Sequence, residues 1–167
     1  VDLCTDIIKE ENKNKIILSK PQKHRVEKWV KGYENRPEAV SLISGGQPEL
    51  SLAGVLNGIN IKVRADYINI DKGYIADVKT TAYDTDVESF KMVVDDLMYN
   101  LSAALYCQMF EQHYGKPFDF YFIVLGKKNA DCQVYKASKD TIWSGKMLIN
   151  QALNTYKICK EKNIWTG

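Results

Sequence analysis

The sequence predicts an α/β fold in which helices flank a mixed central sheet. Three observations carry that expectation: a meander of three strand-like segments between residues 49 and 81, helical spacing of apolar residues on both sides of it, and the run FDFYFIVLG at residues 118–126, which reads as a buried strand.

The elements can be taken in order. Between Pro21 and Tyr33, the residues Val26, Trp29, Val30 and Tyr33 recur at helical spacing behind Ser19, a candidate N-cap, which predicts an amphipathic helix. Residues 44–48 (SGGQP) form a turn. The segment after it divides into two strands at Asn57-Gly58, a dipeptide that tolerates the positive φ angles of a tight hairpin. On the second strand, alternation puts Ile59, Ile61, Val63, Ala65 and Tyr67 on one face and Lys62, Arg64 and Asp66 on the other. Asp71-Lys72-Gly73 then turns the chain into YIADVKTT, where Ala76 and Val78 face one way and Asp77 and Lys79 the other. The stripe Phe90, Val94, Leu97, Leu101, Leu105, Met109 predicts one long helix from Asp86 to about His113, ended near Gly115. A short strand at Gln133–Lys136 and a closing helix with Asp140 as N-cap complete the pattern.

With 167 residues and 45% hydrophobic content, residues 1–167 are expected to form one domain. No apolar run approaches the roughly 20 residues that cross a bilayer, and VDLCTDIIKE lacks the basic and apolar regions of a signal peptide, so a cytoplasmic protein is expected. Cys4, Cys107, Cys132 and Cys159 form no C-x-x-C pair and have no His at ligand spacing, which speaks against a closed zinc site or an iron–sulfur cluster. The net charge of +2 conceals a pattern. Residues 1–36 hold nine Lys/Arg against six Asp/Glu, residues 37–125 six against twelve, and residues 126–167 eight against three. An acidic middle between basic ends suits a cation site flanked by surfaces that grip a polyanion, although solvated faces give the same count.

Chemistry concentrates in the meander. Asp66 ends its strand among apolar neighbours, and eleven residues later Asp77-Val78-Lys79 sets a carboxylate and an ammonium on one face of the partner strand. If the register brings Asp66 opposite Asp77 or Lys79, two carboxylates share one side, where their repulsion is costly without a cation. Asp66, Asp77 and the Val78 carbonyl then make the all-oxygen shell preferred by Mg²⁺, with Mn²⁺ as a substitute, and Glu49 is a further acidic candidate for both metal and catalysis. Lys79 can orient a water and offset charge developing on a phosphate. Taken alone, D-x-K is more often a surface ion pair than a catalytic site.

The set Glu49, Asp66, Asp77-x-Lys79, with the phrases ADVKTT and YNLSAALY, resembles the PD-(D/E)XK nuclease superfamily, and within it the phage and RecE-type exonucleases (exodeoxyribonuclease VIII-like, related to lambda exonuclease). The similarity extends from ILSKPQ to the tail around Tyr156 and Trp165. It implies a restriction-endonuclease-like core and a magnesium-dependent exonuclease that works 5′ to 3′ on double-stranded DNA in a bacterial or phage-infected cell. It also implies a ring-shaped homo-oligomer, a single-strand annealing protein as partner, and roles in phage recombination and DNA repair.

The chain departs from the family pattern where the helix after the motif reads Asn100, Ser102 and Tyr106 in place of His, Gln and Tyr. Arg64, Thr80, Thr81, Ser102 and Tyr106 are the candidate DNA contacts near the site, and Lys127, Lys128, Lys136, Lys139 and Lys146 are candidates for the backbone farther away. The family's G-x-x-x-H element has no match, since His24 lies in a later-equivalent helix, and it is expected ahead of Val1. Two other readings stand beside the exonuclease: a structure-specific or restriction-type endonuclease on the same core, and a DNA-binding module that has lost turnover.

Overall fold

The computed structural model describes residues 16–165. Its elements are α1 (Lys20–Glu34), α2 (Pro37–Leu42), β1 (Gln47–Leu56), β2 (Ile59–Asn69), β3 (Tyr74–Thr81), α3 (Val87–Asp96), α4 (Tyr99–Tyr114), β4 (Asp119–Gly126), β5 (Cys132–Lys136) and α5 (Lys139–Lys162). The strands form a five-stranded sheet in the order β1-β2-β3-β4-β5, antiparallel except for the parallel pair β3/β4. A parallel pair needs a crossover, and α3 and α4 supply it. This is the mixed α/β architecture expected from the pattern. Among the described residues, no helix is long and apolar enough to cross a membrane.

The local signals act where they stand. Ser19 and Gln22 form a reciprocal capping box at the start of α1. Leu56 pairs with Ile59 across Asn57 (φ 51°) and Gly58 (φ 77°), so the hairpin turns on that dipeptide. Gly115 closes α4 in the left-handed conformation (φ 69°).

Two apolar layers enclose the sheet. On the front, Val63, Ala65, Ile68, Ile75, Phe120, Phe122 and Val124 pack against Phe90, Ala103, Cys107, Phe110 and Ile149 from α3, α4 and α5. On the back, Tyr67, Ala76, Ile123 and Leu125 meet Ala39, Trp29 and Tyr33 from α1 and α2. α5 lies close enough to α4 that Gly145 sits directly on the Asn100 carbonyl and the Ala104 methyl.

Several expectations are corrected. The predicted long helix is two, because Met98 adopts a left-handed conformation (φ 52°) between them, and Leu97, placed in the stripe, is 57% exposed. α3 is turned by Phe90 and Val93, while α4 buries Ala103, Ala104, Cys107, Met109 and Phe110, so a single straight stripe serves neither. Tyr67 belongs to the back layer and Ala65 to the front, so strict alternation breaks between them. Ala65 and Ala76 accordingly lie in opposite layers, and Val78, set on one face with Ala76 by alternation, is 38% exposed while Ala76 is buried. In α1, Trp29 and Tyr33 pack but Val26 and Val30 remain exposed. Ser138, not Asp140, caps α5, accepting the Thr141 N–H at 3.0 Å, while Asp140 sits in the first turn, where its charge suits the helix dipole. Cys4 lies outside the described residues.

A side chain at position 145 would collide with the backbone of Asn100. Gly145→Val is therefore expected to lower stability by about 2–4 kcal/mol, since over-packing against backbone cannot be relieved by a rotamer change. Thermal unfolding followed by circular dichroism measures it, and an unchanged Tm would show that the two helices are not tightly seated.

Candidate active site

The site arises where the sheet divides. β2 and β3 pair over only three positions, Tyr67 with Ala76, Ile68 with Ile75 and Asn69 with Tyr74, although β2 pairs with β1 along most of its length and β3 pairs with β4 over eight positions. The next rung would set Asp66 opposite Asp77. Instead, the Asp66 carboxylate accepts the Val78 N–H at 2.9 Å, so a side chain takes the place of a backbone acceptor and the two strands part. Beyond this point β1/β2 and β3/β4/β5 diverge as the arms of a fork, with α4 packed against both.

Inside the fork, Asp77 is only 5% exposed. Its buried Oδ2 meets the Lys79 ammonium and has no other polar partner. Burial holds the Asp77 carboxyl above the ordinary carboxylate range, Lys79 pulls it back, and the Asp66 charge raises it further. Burial acts against the charge on Lys79, yet the carboxylates of Asp77 and Asp66 outweigh it and raise the lysine's pKa. Lys79 is also held from above, its Nζ lying 4.7 Å from the centre of the Tyr99 ring. Tyr106, two turns along α4, has its phenol pKa raised by burial and then by Asp77.

Thus Asp66, Asp77 and Lys79 come together, although the alternation of β2 breaks at Asp66 itself. Tyr106 faces them, and Ser102 is half-buried on the same helix. Tyr99 is the residue that sequence reasoning missed; its signal was its place one turn before Ser102 on the helix that follows the motif. Asn100 turns away, donating its amide to Ser144 Oγ at 3.0 Å. Thr80 is exposed, whereas Thr81 is buried and its hydroxyl accepts the Tyr83 N–H, which occupies it locally. Glu49 falls between the β1/β2 pairs Pro48–Tyr67 and Leu50–Ala65, at the level of Asp66 but not paired with it, in a left-handed conformation (φ 55°) rare for a residue with a side chain, and its carboxylate pairs with Arg64 Nε at 2.9 Å. In this structure Glu49 and Arg64 are thus committed to each other. Among the described residues, no three His, Cys, Asp or Glu side chains converge on one point.

The donors that do converge suit a hard divalent cation. In a strand, the N–H and C=O of one residue project to the same edge, so the Val78 carbonyl faces the gap into which its N–H points. Together with a buried, otherwise unpartnered carboxylate oxygen and the adjacent Asp66, it gives two carboxylates and a carbonyl, the oxygen set of Mg²⁺ or Mn²⁺ rather than the nitrogen and sulfur set of zinc.

A divided mixed sheet with two aspartates and a lysine at the division defines the PD-(D/E)XK class of α/β folds, with a restriction-endonuclease-like core. The family described as "PDDEXK-like domain of unknown function (DUF3799)" matches residues 1–167, and the chain belongs to it. Among solved structures, a protein from Eubacterium rectale provisionally described as an exonuclease aligns with a TM-score of 0.74 at 17% identity, over 96% of this chain and 63% of that one. The likeness is one of fold, and this chain spans less than two thirds of the other's length. The structure of SSO0001 aligns with a TM-score of 0.42 at 14% identity, over 88% and 87% of the two chains. No curated protein matches.

The raised pKa of Asp77 has a defined sign for stability. A carboxyl raised above its unfolded value of about 3.9 favours the folded state at acid pH and loses that contribution as pH rises through its folded value. Asn at this position mimics the protonated acid and escapes the loss. Relative to the unsubstituted protein in chelator, Asp77→Asn is expected to have a more favourable Tm at pH 8 than at pH 4. A difference independent of pH would show that Asp77 is ordinarily solvated.

Proposed function

We propose that this chain is the catalytic domain of a metal-dependent nuclease that hydrolyses phosphodiester bonds of DNA. The observation that carries the reading is the pairing of buried Asp77 with half-buried Lys79 beside Asp66 at the mouth of the fork. Desolvating a carboxylate and an ammonium costs several kcal/mol per ion, and nothing in the packing of β3 requires either charge. Perturbed, partly buried titratable groups in a cleft are a mark of function.

Asp66, Asp77 and the Val78 carbonyl would hold Mg²⁺ or Mn²⁺, with Glu49 joining only if it leaves Arg64. Such an ion, when bound, supplies Lewis-acid polarisation of a phosphoryl oxygen and acidifies water. The protein's own residues do the rest. Lys79, kept protonated by Asp77 and Asp66 and steadied over the Tyr99 ring, directs its ammonium at the phosphate or at the attacking water and offsets charge as the water oxygen bonds to phosphorus and the bond to the leaving sugar oxygen breaks. Tyr106, whose phenol stays protonated, can donate to a phosphate oxygen, and Ser102 can add a shorter-reaching donor.

The finer parts of the reading rest on the sequence resemblance: duplex ends as substrate, 5′ to 3′ polarity, a ring-shaped homo-oligomer, a single-strand annealing partner and a place in phage recombination or repair. Polarity and end-dependence are set by surfaces around the site rather than by the carboxylates. Incubation of linear and circular duplex with the protein in Mg²⁺ tests end-dependence. Linear DNA degraded with circles left whole is expected; cut circles would assign an endonuclease.

Asp66→Asn, Asp77→Asn and Lys79→Met are each expected to reduce the cleavage rate about a hundredfold or more while the far-ultraviolet spectrum is retained, because each removes one polar partner of the reacting phosphate without changing side-chain volume much. Near-normal turnover by any of the three, in protein free of contaminating nuclease, would end the assignment.

A further inference from the structure

The first nine residues of α1, Lys20 to Lys28, are all exposed, and Trp29 is the first residue of the helix to pack. What anchors the helix is well defined. Trp29 Nε1 donates to the Gly126 carbonyl at 3.1 Å, and Gly32 lies so close to the Ala130 carbonyl that a Cβ would collide with it. Tyr33 packs in the back layer, and Arg36, just past the helix, donates to Gln133 at 2.7 Å. The C-terminal half of α1 is thus fixed to the turn after β4 and to β5, while its N-terminal half stands away from the sheet. That turn is tied to the catalytic strand: the Lys127 N–H donates to the Thr81 carbonyl at 2.8 Å, and Thr81 pairs with Gly126 just as Lys79 pairs with Val124. Thr81 is two residues past Lys79, about 7 Å along the strand.

The free half of α1 carries Lys20, Lys23, Arg25 and Lys28 against a single acid, Glu27, and the turn adds the exposed Lys127 and Lys128. On the other side of the site, the segment from Asp84 to Asp96 carries five acids against one Lys. A polyanion reaching Lys79 is therefore drawn toward α1 and the Lys127–Lys128 turn and repelled by α3. Nine helical residues in water hold their shape weakly without packing, so the capping box at Ser19 is what keeps this arm helical until a partner lies along it. The arm exposes Val26, and Ile16, Ile17 and Leu18 just ahead of its cap are exposed as well, so an anionic lipid surface is the competing partner that the test must separate from duplex.

Resting on the nuclease reading above, we propose that the N-terminal half of α1, with the Lys127–Lys128 turn, is a cationic arm that holds the backbone of duplex DNA on one side of the site, so that the duplex extends from the fork over α1 and away from α3. The contacts are to phosphates and carry no base sequence. The arm acts on binding and not on bond cleavage.

The test uses the full chain with Lys20, Lys23, Arg25 and Lys28 all changed to Gln, in the presence and absence of Asp77→Asn. Binding of a fluorescent duplex by the Asp77→Asn protein is followed by anisotropy across salt concentrations, and cleavage by the Asp77-containing protein is measured in Mg²⁺. Loss of the arm's charge is expected to weaken binding about tenfold or more near 0.1 M salt and to flatten the slope of log affinity against log salt by about 2–4, as fewer counterions are released. Cleavage should show a raised KM with kcat within about twofold, and duplexes of different sequence should suffer alike. Weakened binding with the flattened slope, in a protein that proves not to cleave DNA, would sustain the arm and remove the nuclease reading. An unchanged affinity and slope in the quadruple variant, no binding of duplex by the unsubstituted arm, or tighter binding to anionic vesicles than to duplex would each overturn the proposal.

Discussion

The carboxylate of Asp66 takes the place of a backbone rung. By accepting the Val78 N–H, it satisfies a donor that would otherwise require β2 to continue alongside β3, and so it lets two strands separate without leaving that amide unpaired. Much of the site's geometry depends on that substitution. The separation creates the fork, exposes the Val78 carbonyl to the gap and leaves Asp77 facing Lys79 in a half-closed space instead of a cross-strand partner. α4 then finds its seat across both arms, bringing Tyr99 and Tyr106 over the charges.

Such an arrangement is poor economy for stability alone. Two carboxylates and an ammonium are gathered where apolar residues would pack at less cost, and Asp77 is held partly toward its neutral form by burial. Lys79 limits the conflict but does not remove it, since Asp77 has no other polar partner at its buried oxygen. A divalent cation, if bound, would relieve the remaining repulsion, and the oxygen donors here fit one. Glu49 shows the same tension in its backbone, where a left-handed conformation is maintained beside Asp66 while the side chain turns outward to Arg64.

Charge organises the molecule on a larger scale. The acidic middle of the sequence becomes the candidate site and α3, and part of its basic flanks becomes α1 and the turn after β4, which the parallel pairing of β3 with β4 brings beside β3. The two basic segments are about a hundred residues apart in the chain, and Trp29, through its bond to Gly126, joins them.

By itself, the sequence determined the pieces whose causes are local. Asn57-Gly58 made the hairpin because both positions tolerate positive φ, Ser19 with Gln22 began α1, Gly115 ended α4, and period-two alternation put Asp77 and Lys79 on one face. It also carried the mixed sheet and the identity of the three charged residues in the fork. Tertiary structure decided what depends on distant partners. Alternation could not show that Tyr67 and Ala65 would serve opposite layers, because the break lies at Asp66, whose own carboxylate replaces the backbone rung to β3. Apolar periodicity could not show that the long helix would split at Met98, because α3 and α4 bury different faces against different parts of the sheet. Nor could it assign Tyr99 to Lys79 or Asn100 to Ser144, since neighbours on a helix part company only when the sheet and α5 take up their positions on either side.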